Sequence, residues 1–270
     1  MNRFLSDSHL ERLKNDFARV LEIIQESRGE YDLRLRANYL NLYSRGNSIA
    51  RIGFTSEGYE VVIHAKFAAD VFSKDNRFCG KVNDNYTAFQ LPFDKVTPFF
   101  QKTYLQKISA NVAKVGYSAE LEFEQLLIAD NLDSKEWIII DRQVIHPRTR
   151  GRIDLLALRR DKDGEFNFHV VEVKMGNNLE LREAVDDQLK RYLTLIKENL
   201  QTWKAGYLKT VDQLWRLGLL PQLDTELIQI GNKVDGLVAV YGYPKAAADS
   251  IKQLKAKHPD IVVKRFSFSL

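Results

Sequence analysis

"GRIDLLALRRDKDGEFNFHVVEVKMG" (residues 151–176) reads as two strands joined by a turn. Apolar and polar residues alternate over 152–160 and again over 166–175, with the turn-forming "DKDGE" (161–165) between them. A period of two is the pattern of a half-buried strand. Three charged residues interrupt this apolar setting. Asp154 follows Ile153, Glu172 closes the run "FHVV", and Lys174 lies between Val173 and Met175. A buried charge costs several kcal/mol unless a counter-charge or a metal meets it, so these three residues call for one another or for a cation.

Working outward, "EWIIIDRQVI" (136–145) is a third strand and "SAELEFEQLLIADN" (118–131) a helix before it. Downstream come a long helix over about 180–200 and less regular helical sequence to 220. A strand "DGLVAVYGY" (235–243), a helix "KAAADSIKQLKAK" (245–257) and a strand "IVVKRFSF" (261–268) follow. Helix, three strands, helix, strand, helix, strand describes an α/β/α sandwich on a mixed sheet. The first hundred residues follow a different pattern. A helix over 7–27, capped by Asp7 or Ser8, sets Leu10, Leu13, Phe17, Val20, Leu21 and Ile24 on one face. Alternation from Tyr31 to about Phe67, with turns at Arg45-Gly46-Asn47 and Ser56-Glu57-Gly58, predicts an antiparallel meander. Residues 73–85 read as loop and 91–115 as mostly helical. The expected organisation is an α+β domain over 1–105, able to hold or choose a substrate, and an α/β domain over 106–270.

Composition sets the outer limits. With 270 residues and 44% hydrophobic content the chain can bury a sizeable core, and its apolar runs are too short for a membrane span or a signal peptide. A soluble, cytoplasmic protein is the expectation. The lone Cys79 excludes an internal disulfide and any multi-cysteine metal site within the chain. A required metal would therefore rest on oxygen or histidine ligands. The net charge of +4, from 40 basic and 36 acidic residues, is compatible with a polyanionic partner.

Residues two apart on a strand share a face, so Glu172 and Lys174 stand side by side, and the hairpin can bring Asp154 to them. Two acids and a lysine suit phosphodiester hydrolysis, which needs a divalent cation on carboxylates and a positive group near the attacking water. An acid-x-lysine triplet alone is ordinarily a solvated edge with an incidental ion pair. Asp154 in "RID" together with Glu172-Val173-Lys174 resembles the signature of the PD-(D/E)xK, restriction-endonuclease-like nucleases, with Ile153 in place of the proline that names it. The opening "GYSAELEFEQLL" is similar to that of archaeal Holliday-junction resolvases, and Gln188 and Tyr192 in "DDQLKRY" have the Gln-x-x-x-Tyr spacing of RecB-like nucleases. Over roughly 116–268 the order of these segments resembles the C-terminal domain of NucS-type endonucleases.

The resemblance implies a Mg²⁺- or Mn²⁺-dependent endonuclease acting on DNA. It implies that Asp154, Glu172 and the Val173 carbonyl bind the metal, that Lys174 orients or activates the water, and that Glu120 completes the site. Glu124, one turn later, is the rival helix acid. Gln188 would steady the lysine or a substrate phosphate, and Tyr192 would pack beside the site or touch nucleic acid. Arg148, Arg150 and Arg152, in a stretch without acids just before Asp154, are candidates for phosphate contact. Arg34 and Arg36, with Tyr39, Tyr43 and Tyr59 nearby, suggest a basic, aromatic platform for single strands as readily as ordinary sheet packing. Cutting both strands calls for two sites, which a homodimer would supply. A module that binds nucleic acid or a protein partner without turnover is the alternative.

Overall fold

The computed structural model describes residues 3–116, 118–146, 151–220 and 228–266. It is a mixed α/β structure with two sheets, and the chain divides into two compact units. One comprises Met1–Leu132 with Lys209–Leu223, the other Asp133–Leu208 with Asp224–Leu270. Among the described residues, no helix is long and apolar enough to cross a membrane.

The first unit opens with helices α1 (Asp7–Asp16) and α2 (Ala18–Glu26). The helix expected over 7–27 is thus broken at Phe17, whose φ of −104° and ψ of 7° leave the helical region. Its cap is Ser6, not Asp7 or Ser8; the Ser6 side chain accepts from the His9 N–H. All six apolar residues assigned to the inner face are buried. Strands β1 (Tyr31–Arg36), β2 (Tyr39–Ser44), β3 (Asn47–Phe54) and β4 (Gly58–His64) form the meander. It continues past the short helix α3 (Ala65–Ala68) into β5 (Lys81–Asn83) and β6 (Tyr86–Pro92), giving an antiparallel sheet in the order β1-β2-β3-β4-β6-β5. Residues 91 and 92, read as the start of a helical stretch, therefore belong to a strand, and the loop expected over 73–85 contains β5. Helices α4 (Val96–Phe99) and α5 (Lys102–Val115) follow.

Helix α6 (Ala119–Asp130) packs within this first unit. The Gly46 N–H donates to Gln125 Oε1 at 3.2 Å, and Gln125 Nε2 donates to the Gly29 carbonyl at 2.7 Å. At Gly46, φ is +77° and an added Cβ would strike the Leu121 backbone, so the β2–β3 turn seats directly on the helix. The expected boundary at 105 falls inside α5, whereas the first unit runs through α6 to Leu132.

The second unit holds β7 (Trp137–Ile145), β8 (Arg152–Arg160) and β9 (Phe166–Met175), then helices α7 (Glu180–Glu183), α8 (Val185–Glu198) and the start of α9 (Leu200–Arg216). Strand β10 (Ile230–Tyr241), helix α10 (Pro244–Lys257) and strand β11 (Val262–Phe266) complete it. The sheet order is β11-β10-β9-β8-β7. The pairs β7–β8 and β8–β9 are antiparallel, and β9–β10 and β10–β11 are parallel. Strand β9 lies at the centre and is buried from Phe166 to Lys174, which is why its sequence is so densely apolar.

Candidate active site

The site is built where two strands separate. Strand β8 stays paired with β7 as far as Arg152 but with β9 only as far as the Leu155–Val171 pair. Continuing that register by one step sets Asp154 opposite Glu172, and residues opposite each other on antiparallel strands share a face. Asp154 fills the opening: its Oδ2 accepts the Val173 N–H at 2.9 Å. An extended residue directs its N–H and C=O to the same side of the strand, so the Val173 carbonyl also leaves β9 toward this opening.

Glu172 is 3% exposed and Lys174 6%. Lys174 Nζ lies 2.9 Å from Glu172 Oε1 and 2.8 Å from Glu180 Oε2. The second oxygen of Glu172, Oε2, is buried and accepts no hydrogen bond. Burial, then the charge of Asp154, pushes the Glu172 carboxyl up to about 8, against the pull of Lys174. For Lys174, burial opposes the charge, but Glu172, Glu180 and Asp154 outweigh it and hold the ammonium above its ordinary pKa. Hydrogen bonding to Lys174, then its charge, lowers the carboxyl of Glu180.

Gln188 and Tyr192 come to the same place from α8. Gln188 Nε2 is 3.5 Å from Glu180 Oε2, and Gln188 Oε1 is buried without a hydrogen-bond partner. Tyr192 is buried, and its hydroxyl pKa is raised first by burial and then by Glu172 and Asp154. Gly151, with φ of +97°, sits so close that an added Cβ would come within 2.7 Å of the Tyr192 hydroxyl oxygen. Tyr192 thus abuts the backbone that leads into β8 and Asp154.

The other expected residues are placed as follows. Glu120 is half-buried at the start of α6, its N–H capped by Ser118 Oγ at 3.2 Å, and Glu124 is buried on the same helix; both belong to the first unit. Arg152 is exposed at the start of β8, while Arg148 and Arg150 lie outside the described residues. The basic, aromatic platform is not formed. Arg34 is buried against Asp32 at 2.8 Å, Arg36 is buried and donates to the Leu35 carbonyl and the Tyr43 hydroxyl, and Tyr43 and Tyr59 are core residues. Sequence reasoning missed Glu180. Its only local signal is an acid six positions after Lys174, and that spacing says nothing until α7 turns back on the strand.

A divalent cation fits the donors present. Asp154 and Glu172 offer hard carboxylate oxygens, Val173 a carbonyl, and Glu172 Oε2 is a buried acceptor with no partner. Among the described residues, no three His, Cys, Asp or Glu side chains come together as a metal cluster.

No protein-family model and no curated protein matches the chain. Among solved structures it is similar to an EndoMS–dsDNA2 complex at 13% sequence identity and a TM-score of 0.29, over 89% of this chain and 83% of that one. The likeness is distant.

Proposed function

We propose that this protein is a Mg²⁺- or Mn²⁺-dependent deoxyribonuclease, an endonuclease that hydrolyses phosphodiester bonds at the opening between β8 and β9. One observation carries the reading: the buried, unpartnered Oε2 of Glu172 stands beside Asp154, with the Lys174 ammonium on the other oxygen of the same carboxylate. Two acids brought together with a buried acceptor unmet leave a donor set that a cation would complete.

Asp154 and Glu172 would hold the metal, with the Val173 carbonyl as a further donor. When bound, the cation supplies charge neutralisation at the phosphate and a water of lowered pKa. The Val173 N–H fixes the Asp154 carboxylate in place. Lys174 has three N–H donors, two of them directed at carboxylates, so one can face the attacking water or a phosphate oxygen. Gln188 steadies Glu180 and through it the lysine, and Tyr192 holds the entry to β8. Arg148, Arg150 and Arg152 are proposed phosphate contacts.

The test incubates purified protein with single-stranded, double-stranded and branched DNA, and with RNA, in Mg²⁺, Mn²⁺ or EDTA. Cation-dependent cutting of DNA, reduced by about 10²-fold or more in Asp154→Ala and Lys174→Ala, is the expected result. Unchanged cutting in either variant overturns the site. The second reading, a module that binds nucleic acid without turnover, draws on the Glu172–Lys174–Glu180 network, in which the lysine already meets both acids with no metal. DNA binding without cutting under every condition would favour it.

A further inference from the structure

We propose that Glu180 is a positioning residue for Lys174, and that α7 exists at this point in the fold to deliver it; the inference rests on the nuclease reading above. Lysine has four rotatable side-chain bonds, so one carboxylate does not fix its ammonium. Glu172, on the same strand, supplies one contact at 2.9 Å. The second, at 2.8 Å, comes from a different element, and two acceptors from two directions leave Nζ little freedom.

The Glu180 side chain is half exposed, but the backbone that carries it is held on both sides. After β9, the Gly176 N–H donates to the Tyr241 carbonyl at 2.8 Å, and an added Cβ at Gly176 would strike the Gly242 carbonyl and Ala247. The Asn178 N–H then donates to the Met175 carbonyl, and Asn178 Oδ1 accepts the Glu180 N–H, both at 2.9 Å. Leu181 is fully buried, and Arg182 Nε donates to Ser250 Oγ of α10 at 2.8 Å. A helix of four residues has little stability of its own, so these contacts define where it sits. Gln188 reaches the same Glu180 oxygen that holds the lysine.

Glu180 touches the lysine and not the reacting atoms, so its loss should lower turnover without weakening substrate binding. In Glu180→Ala we expect kcat to fall about ten- to hundredfold with KM within about twofold, the size of effect that misplacing a catalytic group produces. Glu180→Gln keeps an acceptor oxygen at the same reach and should recover most of kcat, whereas Glu180→Asp falls one methylene short and should not. A wild-type kcat in the alanine variant, a loss confined to KM, or a glutamine variant as slow as alanine overturns the proposal.

A second measurement is independent of activity. In protein labelled with ¹⁵N-lysine, the ammonium of Lys174, identified by its absence in Lys174→Met, should give a protected Nζ signal in EDTA. That signal should be lost in Glu180→Ala and kept in Glu180→Gln; its persistence in the alanine variant overturns the proposal. If the wild type cuts nothing, the nuclease reading fails on its own, and the ammonium signal still decides whether Glu180 holds the lysine.

Discussion

Burial takes the Glu172 carboxyl out of water and Asp154 repels its charge, so it keeps its proton to about pH 8 even with Lys174 alongside. In the unfolded chain the same group titrates near 4.3. Between those values the metal-free fold binds more protons than the unfolded chain, so stability falls as pH rises through the window. Lys174 is what limits that fall. Replacing it in Lys174→Met leaves the carboxylate buried and uncompensated, at a cost of roughly 3–5 kcal/mol at pH 9. At pH 5 Glu172 is protonated in the fold and the cost should be much smaller. Urea titrations in EDTA at the two pH values measure the difference, and equal losses would show that the pair is not coupled. The same carboxyl must release its proton to ligate a metal. Mn²⁺ affinity, read by calorimetry, should therefore climb by up to about tenfold per pH unit toward pH 8 and level off above it. A flat profile would remove Glu172 from the ligand set.

Helix α6 shows how one side chain can seat an element. Gln125 bonds the backbone of two separate turns, at Gly29 and Gly46, and is itself buried. Gln125→Leu keeps the volume but strands a buried N–H and a C=O, so a loss of about 1–3 kcal/mol is expected in chemical denaturation. A neutral result would mean that apolar packing alone seats the helix. Nothing in "ELEFEQLL" announced this, because the partners lie about eighty and a hundred residues away. Strands β7, β8 and β9 were legible nearly to the residue, since they alternate or run apolar between clear turn residues, whereas β10 begins at Ile230, five residues before the strand expected over 235–243. The pairing of Glu172 with Lys174 was legible too, since it follows from strand periodicity alone. The break at Phe17 and the strand over 86–92 were not legible. Helical spacing continues across the first, and the second is seven residues ending in a proline that also suits a helix start. Arg34 and Arg36 misled for a related reason. Alternation put them on one face, but only the fold reveals that Asp32 and Tyr43 bury them.

The order of the chain does not follow the division into units, and that has a consequence for dissection. Residues 209–223, late in the sequence, belong with 1–132. Within that unit Gln213 donates to the Leu5 carbonyl at 2.9 Å and accepts the Leu5 N–H at 2.8 Å, while Val211, Leu214 and Leu217 are buried. Gly218 lies against Gln25, whose side-chain amide reaches the Leu217 carbonyl. A fragment of residues 106–270, cut where composition and periodicity place a boundary, keeps α6 and the second half of α9 but removes what they pack on. Both would present apolar faces to water, and exposed apolar patches of that kind drive association. The fragment should aggregate or unfold without cooperativity, even though Asp154, Glu172, Lys174 and Glu180 are all present in it. Calorimetry and size-exclusion chromatography of the fragment beside the full chain test this. A monomeric fragment with a cooperative transition and metal-dependent cutting would mean that α6 and 209–223 do not need residues 1–105 to stay covered, and that the second unit folds and acts without the rest of the first.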